Sequence, residues 1–599
     1  MNNLSLVAHI NGNIEKLSSK PAYFKKVDDT WKAFSWKAFG DDIYKVSRAL
    51  LNSGVDVQEK VGIFSQNLAQ WTITDLAAVS IRAVVVPIYS TNSKNELAYV
   101  INDAQIKVLF VGDQNQYDKA ASLLNQVNSL ERIIAFKKDI QIDTSKNSVY
   151  FDDFKNEQFT NEAELTVKVK ERQDTIEGKD LATIIYTSGT TGEPKGVMLD
   201  HKNIADTIEA HVLEEKLPLG NNETSLSFLP LSHIFERAWV LFCVRSAVPI
   251  YFNEDPKLIV DVIKEVKPTL MCTVPRLFEK IYSSIQDAKA EASPIKRKLM
   301  DWSITVGDAY YNEYIRLQKP VPSLFNLKFK IADKLVLSKI KEALGGNIKI
   351  MPCGGAPLSV EIFRFFHALG VNVKLGYGLT ETSATSTLSA DKNINFKSSG
   401  KTLHGTEIKI GPNNEIFVKG GGVMRGYYNK PEETAKVFED GWFKTGDAGK
   451  IDVNGNLIIT DRIKDLIKTS GGKYVAPQKL ESSLINDSFI EQIAIIGEKR
   501  KFISALIVPS VEVVKHFCQH HGLTFKNMEE SIKLPEIIHQ VEANVKERLK
   551  DFSPHEQIKK ITLLGKEFTM EAGELTPTLK IKRKVIAKKY KALIDAMYA

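Results

Sequence analysis

From the N-terminus to about residue 180, short β-branched runs alternate with longer segments of helical period. Residues 61–64, 84–88, 108–111 and 133–136 read as strands buried on both faces. That alternation predicts α/β layering around a largely parallel sheet. The pattern resumes at 182–186, 348–351 and 371–375, and each run ends in a glycine-rich or polar turn of the kind that carries ligand sites. Residues 276–345 are rich in Lys, Glu, Ala and Leu, with Pro294, Pro320 and Pro322 as the main breaks, and read as helices. Beyond Gly400, short β segments at 407–411, 415–419 and 456–460, separated by Gly and Asn, predict a smaller antiparallel β subdomain. A charged stretch from Asp461 to Ser470 then leads through Gly471 and Gly472 into a last α+β portion with a Lys-rich tail.

Composition narrows the class. In 599 residues, 43% hydrophobic and 26% charged usage excludes a disordered, collagen-like or coiled-coil chain and predicts several domains. The longest apolar stretches, 76–89 and 238–252, are broken by Arg82 and Arg245 and are too short to span a bilayer. The first 17 residues lack a basic head followed by an apolar run, so a cytoplasmic protein is expected. Cys243, Cys272, Cys353 and Cys518 lack metal-ligand spacing and read as buried thiols. The net charge of +7 admits anionic partners such as nucleotides or a lipid surface but is too mild to argue for nucleic acid.

The sharpest chemical feature is the stretch Tyr186-Thr187-Ser188-Gly189-Thr190-Thr191-Gly192-Glu193-Pro194-Lys195-Gly196, directly after a predicted strand. Small residues let backbone N–H groups converge on anionic oxygens, the hydroxyls add donors, and Lys195 adds charge, as a polyphosphate requires. The spacing is not that of the common nucleotide loop, since Pro194 precedes the lysine and Gly196 follows it. Taken alone, the same residues also suit a flexible turn.

This stretch resembles the signature loop of the adenylate-forming enzymes, the superfamily of acyl-CoA synthetases, firefly luciferase and peptide-synthetase adenylation domains. Further blocks match in order: Leu229-Pro230-Leu231-Ser232-His233-Ile234-Phe235-Glu236-Arg237, Gly354-Gly355-Ala356-Pro357-Leu358, Tyr377-Gly378-Leu379-Thr380-Glu381-Thr382, Gly441-Trp442-Phe443-Lys444-Thr445-Gly446-Asp447, Asp461-Arg462-Ile463-Lys464-Asp465 and a terminal lysine. The helical region, through Val274-Pro275-Arg276-Leu277-Phe278, and the His-Ile-Phe-Glu-Arg form of the histidine motif resemble the bacterial long-chain acyl-CoA synthetases. The resemblance covers nearly the whole chain. It implies a large N-terminal AMP-binding domain (1–460) of layered parallel-sheet α/β subdomains plus a β subdomain, a hinge (461–466), and a small mobile α+β C-terminal domain (467–599).

It also implies an ATP-dependent long-chain fatty acid:CoA ligase acting through an acyl-adenylate. The loop Thr187 to Gly196, with Ser188, Gly189, Thr190, Thr191, Gly192 and Lys195, would hold the β and γ phosphates. Glu381, with Thr187, would ligate or orient Mg²⁺, and Thr382 would lie near the α-phosphate. Gly355, Ala356 and Pro357 would line the adenine slot, Tyr377 beside Gly378 would stack on the base, Asp447 would accept from the ribose hydroxyls, and Arg462 would reach the ribose. Lys580 matches the mobile lysine that bridges carboxylate and α-phosphate; Leu579 replaces the usual glycine before it, and Lys582 is a second candidate.

For thioester formation the C-terminal domain would swing about a hinge at Asp461 to Lys464, with Gly471 and Gly472 bordering the pantetheine tunnel and Lys473 meeting a CoA phosphate. His233 suits positioning of the acyl group or gating better than general-base work. Phe235, Trp239 and Phe242 fit an acyl channel or plain core equally. Fatty acid, ATP and CoA are thus the expected partners, with lipid contact as surface association only. Alternatives that share these motifs are an acyl-AMP ligase loading a carrier protein and a non-catalytic nucleotide- or lipid-binding module.

Overall fold

The computed structural model describes residues 6–124, 126–187, 193–217, 222–463, 466–471, 473–569, 572–576 and 581–599. Ser188, Gly189, Thr190, Thr191, Gly192, Lys464, Gly472 and Lys580 lie outside the described residues.

An eight-stranded sheet carries the phosphate-loop motif. Its order is Gly426–Tyr427, Lys195–Asp200, Leu181–Thr187, Val84–Ile88, Lys60–Phe64, Ile106–Val111, Arg132–Ala135 and Ser148–Tyr150. From Leu181–Thr187 outward to Ser148–Tyr150 the pairing is parallel; Lys195–Asp200 returns antiparallel to Leu181–Thr187 and pairs in turn with Gly426–Tyr427. The runs Val84–Ile88 and Lys60–Phe64 are apolar because helices cover both faces. The helix Ala69–Ser80, nearly all buried, lies on one side in the largest core cluster, while Lys94–Ala104 contributes Leu97, Val100 and Ile101 to a second.

Four strands form a second sheet in the order Ser225–Ser227, Ile250–Phe252, Pro21–Val27 and Thr30–Ser35, the last pair an antiparallel hairpin. Parallel bridges from Ser225 to Leu270 and from Thr273 to Cys353 carry it on to Met351–Cys353, Val373–Tyr377, Thr387–Leu388 and Lys401–Thr402. The strand expected at 348–351 therefore starts three residues later, where parallel pairing with Val373 begins. The helical expectation for 276–345 is met by Pro275–Ala290, Pro294–Asp308, Ser323–Ala332 and Ser338–Lys341, with π-helical turns at Ala309–Ile315 and Asp333–Leu337.

An antiparallel sheet follows, built on Trp442–Ile451, which pairs with Glu415–Gly420, Phe438–Glu439 and Leu457–Arg462. The C-terminal portion has its own core, formed by the sheet Ile490–Ile496, Ile503–Pro509 and Ile558–Leu563 and the helices Pro477–Leu484 and Pro535–Arg548. It touches the rest of the chain through ion pairs of Arg276 with Glu491 and of Arg548 with Glu361. All four cysteines are free and buried, as read from the sequence.

Candidate active site

Three strand ends and one sheet edge converge on the site. Leu181–Thr187 delivers Thr187 to the mouth of the phosphate loop, and Lys195 opens the returning strand. Gly196, next along, is needed for packing: a Cβ there would stand 2.6 Å from Ile184 and 3.1 Å from the Tyr186 ring. The Lys195 ammonium pairs with Glu433 and lies 5.0 Å from the centre of the Tyr427 ring. Lys195 holds the Glu433 carboxyl well below the usual range, the Lys436 ammonium adding to the effect. The Tyr427 hydroxyl donates to Glu381 Oε1 at 2.9 Å, and burial, reinforced by Glu381, drives that phenol far above its ordinary pKa. Tyr427 thus couples the lysine of one motif to the carboxylate of another.

Glu381 sits in the turn Thr380–Thr382, held by a hydrogen bond from the Leu379 amide to Thr382 Oγ1 (2.9 Å) and by the Met424 amide donating to the Glu381 carbonyl (2.8 Å). Ser383 (φ 54) and Ala384 (φ 87) leave this turn in left-handed conformations that side chains rarely adopt, and Ser383 anchors its position by donating to Gly422. Gly378 is obligatory, because a Cβ there would lie 1.9 Å from the Ala384 carbonyl oxygen.

Val373–Tyr377 ends on Tyr377, whose buried hydroxyl donates to Asp447 Oδ2 at 2.8 Å. The other oxygen of Asp447 faces Arg462 Nε at 3.2 Å, and the two residues are direct partners across the strands Trp442–Ile451 and Leu457–Arg462. Tyr377 and Glu381, four residues apart in one stretch of chain, bring the two clusters side by side. An acidic group with both oxygens oriented can accept from vicinal hydroxyls. Gly355, Ala356 and Pro357 form an exposed lip after Met351–Cys353, with Gly355 at φ +83. Gly354 faces Phe235, whose ring would be 3.6 Å from an added Cβ.

His233 caps the helix Ile234–Arg245: its Nδ1 accepts from the Phe235 amide at 3.2 Å, which places the proton of the neutral ring on Nε2. Behind it lie two motif residues to which the sequence assigned no task. Glu236 is fully buried, accepting from the Phe228 amide (3.1 Å) and the Cys272 thiol (2.9 Å), and burial pushes its carboxyl up to about 7. Arg237 donates to both oxygens of Asp75 (2.9 and 2.5 Å) and to Thr183 Oγ1 (2.7 Å), tying the capped helix to the strand that leads into the phosphate loop. Trp239 and Phe242 are buried, and Trp239 donates to Ser225 Oγ.

Asp461 belongs to the strand Leu457–Arg462, opposite Ala448; burial raises its carboxyl to about 6, opposed by Lys479 and reinforced by Glu556. Gly471 and Lys473 are exposed on the C-terminal portion, and a Cβ at Gly471 would meet nothing within 4 Å. No contact among the described residues links them to the site. Of the groups found here, Tyr427 and Glu433 carry no local sequence signal, whereas Asp75 has one, as the single charge in an otherwise uncharged helix.

The family model for the AMP-binding enzyme matches residues 12–428, and that for the AMP-binding enzyme C-terminal domain matches 464–599. The chain is 33% identical over 584 residues to the long-chain-fatty-acid–CoA ligase FadD15 of Mycobacterium tuberculosis, covering 96% of this chain and 94% of that protein. It is 31% identical to the long chain acyl-CoA synthetase 1 of Arabidopsis thaliana, covering 96% and 89%. Among solved structures, the adenylation domain of a carboxylate reductase from Mycobacterium chelonae shares the fold with a TM-score of 0.74 at 19% identity, covering 100% of this chain and 92% of that one. The anthranilate CoA ligase AuaEII does so with a TM-score of 0.71 at 18% identity, covering 99% and 98%. With motif order, site geometry and family match in agreement, this chain belongs to the AMP-binding enzyme family.

Proposed function

We propose that the protein is a long-chain fatty acid:CoA ligase that forms an acyl-adenylate from ATP and then an acyl-CoA, releasing pyrophosphate and AMP. The observation that carries this reading is the convergence of Lys195, Glu381, Asp447 and Arg462, drawn from four separated motifs, on one site through Tyr427 and Tyr377. The full-length similarity to ligases named for long-chain acids supports the substrate class.

A carboxylate resists nucleophiles, so it must first become a mixed anhydride; the enzyme's work is to align it with the α-phosphorus and to neutralise spread negative charge. In this reading Asp447 holds the ribose hydroxyls, Arg462 steadies Asp447 and reaches the ribose, and Tyr377 packs against the base. Lys195, released from Glu433, meets the outgoing phosphates together with the loop 188–192. The residues fit Mg²⁺: Glu381 and the Thr187 hydroxyl are hard oxygen donors of the kind this cation takes, and they would hold it beside the nucleotide phosphates. Bound there, Mg²⁺ supplies charge neutralisation at the phosphates.

Lys580 takes the bridging position between carboxylate and α-phosphate, and the portion after the 461–466 hinge then turns to admit pantetheine past Gly471, Gly472 and Lys473. His233, with Nδ1 committed to its own helix, positions the acyl group by donating through Nε2. No described helix is long and apolar enough to cross a membrane. The test is a CoA-ligation assay over carboxylates from acetate to stearate with AMP and pyrophosphate measured together. Acyl-CoA formation rising with chain length supports the proposal, and acyl-AMP accumulating without transfer to CoA refutes it.

A further inference from the structure

The helix Ser323–Ala332 and the π-helical turn Asp333–Leu337 after it are apolar on two opposite sides. The inner side is core: Phe329, Ala332, Val336 and Leu337 are buried, and Phe329 stacks on Tyr310 with ring centres 3.6 Å apart. The outer side carries Leu324, Leu327, Ile331 and Leu335, spaced three, four and four residues apart and therefore on one stripe. These four are 81%, 56%, 47% and 44% exposed. With the inner face already packed, a second, contiguous apolar stripe left exposed marks a surface for interaction.

Charge identifies the cover. Between residues 323 and 341 stand five lysines against one aspartate, and that aspartate, Asp333, is held by Lys341 and Ser338. Lys328, Lys330, Lys334 and Lys339 are exposed, and none has an acidic partner among the described residues. Lys328 follows Leu327 and Lys334 precedes Leu335, so basic side chains stand beside the leucine stripe. The adjoining helix Pro294–Asp308 begins with the exposed Ile295, Lys296, Arg297 and Lys298. A narrow apolar stripe with long basic side chains beside it matches the boundary of an anionic bilayer. There apolar residues enter the acyl region while ammonium groups reach back to phosphates.

We propose that the outer face of residues 323–335 is the surface by which this protein lies on anionic membranes. The occupant is an anionic phospholipid bilayer: the basic side chains beside the stripe match its phosphates, and a purely anionic polymer would leave the leucines uncovered. The inference rests on the long-chain acid reading only for its use, since such acids reside in bilayers. Binding itself does not depend on ligase chemistry.

The experiment is co-sedimentation of the full chain with phosphatidylcholine vesicles and with phosphatidylcholine/phosphatidylglycerol vesicles, at low and high salt. Three forms are compared: wild type, L324S/L327S/I331S, and K328E/K330E/K334E. All six positions are exposed, so thermal unfolding of both variants should match wild type, and ATP affinity by titration calorimetry should be unchanged. The expected result is wild-type binding to the anionic vesicles that weakens with salt, with each variant binding at least tenfold more weakly. A fourth protein, L327C carrying an environment-sensitive dye, should shift its emission to the blue on anionic vesicles only. Wild type that fails to sediment, variants that bind as wild type does, or loss of a dimer in the serine variant without any vesicle binding would each overturn the proposal. Failure of ligation in wild type with vesicle binding intact would count against the function and not against this surface.

Discussion

The Arg237–Asp75 pair offers the most quantitative test of how the phosphate-loop strand is held in place. Both side chains are 2% exposed, and the guanidinium spends two donors on Asp75 and one on Thr183 Oγ1. Replacing Asp75 by Ala leaves a buried cation with a single hydroxyl partner, a loss of about 3–5 kcal/mol. Replacing both, as Asp75→Leu with Arg237→Met, removes the charge together with its partner and is expected to be nearly neutral or stabilising. The pair joins the helix Ile234–Arg245 to the helix Ala69–Ser80, and Arg237 alone reaches on to Thr183 of the phosphate-loop strand, so the loss should appear as local opening of those two helices. Hydrogen exchange with mass spectrometry reads it directly: at about 1.4 kcal/mol per tenfold, amides of both segments should exchange roughly 10²- to 10⁴-fold faster in Asp75→Ala. The double variant should return close to wild type. Unchanged exchange in Asp75→Ala, or a double variant as labile as the single one, would refute the reasoning.

Tyr377→Phe removes a hydrogen bond to a carboxylate, worth about 1.5–3 kcal/mol, and should weaken ATP binding about tenfold or more by titration calorimetry while leaving the fold intact; unchanged affinity would separate Asp447 from the ribose. Gly378→Ala forces a Cβ against the Ala384 carbonyl and should abolish pyrophosphate exchange and lower the melting temperature; normal exchange would contradict the turn geometry. The raised carboxyl of Asp461, about 6, means that the arrangement described here binds a proton that an exposed Asp461 would lack. Between about pH 4 and 6, acid should therefore favour this arrangement, and the preference should fade as pH rises through 6. An inter-domain FRET pair should report that dependence in wild type and lose it in Asp461→Asn; identical profiles would count against it.

The strands Val84–Ile88 and Lys60–Phe64 were legible because burial on both faces leaves runs of apolar residues, several of them β-branched, a signal that needs no knowledge of neighbours. The hairpin Pro21–Val27 with Thr30–Ser35 was not, since its half-exposed faces mix Lys with aromatics that make sense only as the stacked pair Tyr23–Phe34. The strand at 351–353 shifted because its start is set by the Val373 partner and not by its own hydrophobicity, and Pro352 within it weakens any local signal. In the site, the phosphate loop and the Glu381 turn announce themselves because small residues, hydroxyls and charge are consecutive there. Tyr427 and Glu433 do not, because their roles come from tertiary contacts with Lys195 and Glu381, hundreds of residues or dozens of residues away.

The central claim is that the acid's own oxygen attacks the α-phosphorus of ATP before sulfur displaces AMP. Palmitate labelled with ¹⁸O in its carboxylate, turned over with ATP, Mg²⁺ and CoA, tests it most directly by mass spectrometry of the nucleotide product. The account predicts one ¹⁸O in AMP, none in pyrophosphate, and palmitoyl-CoA as the acyl product. Label recovered in inorganic phosphate alongside ADP would contradict it.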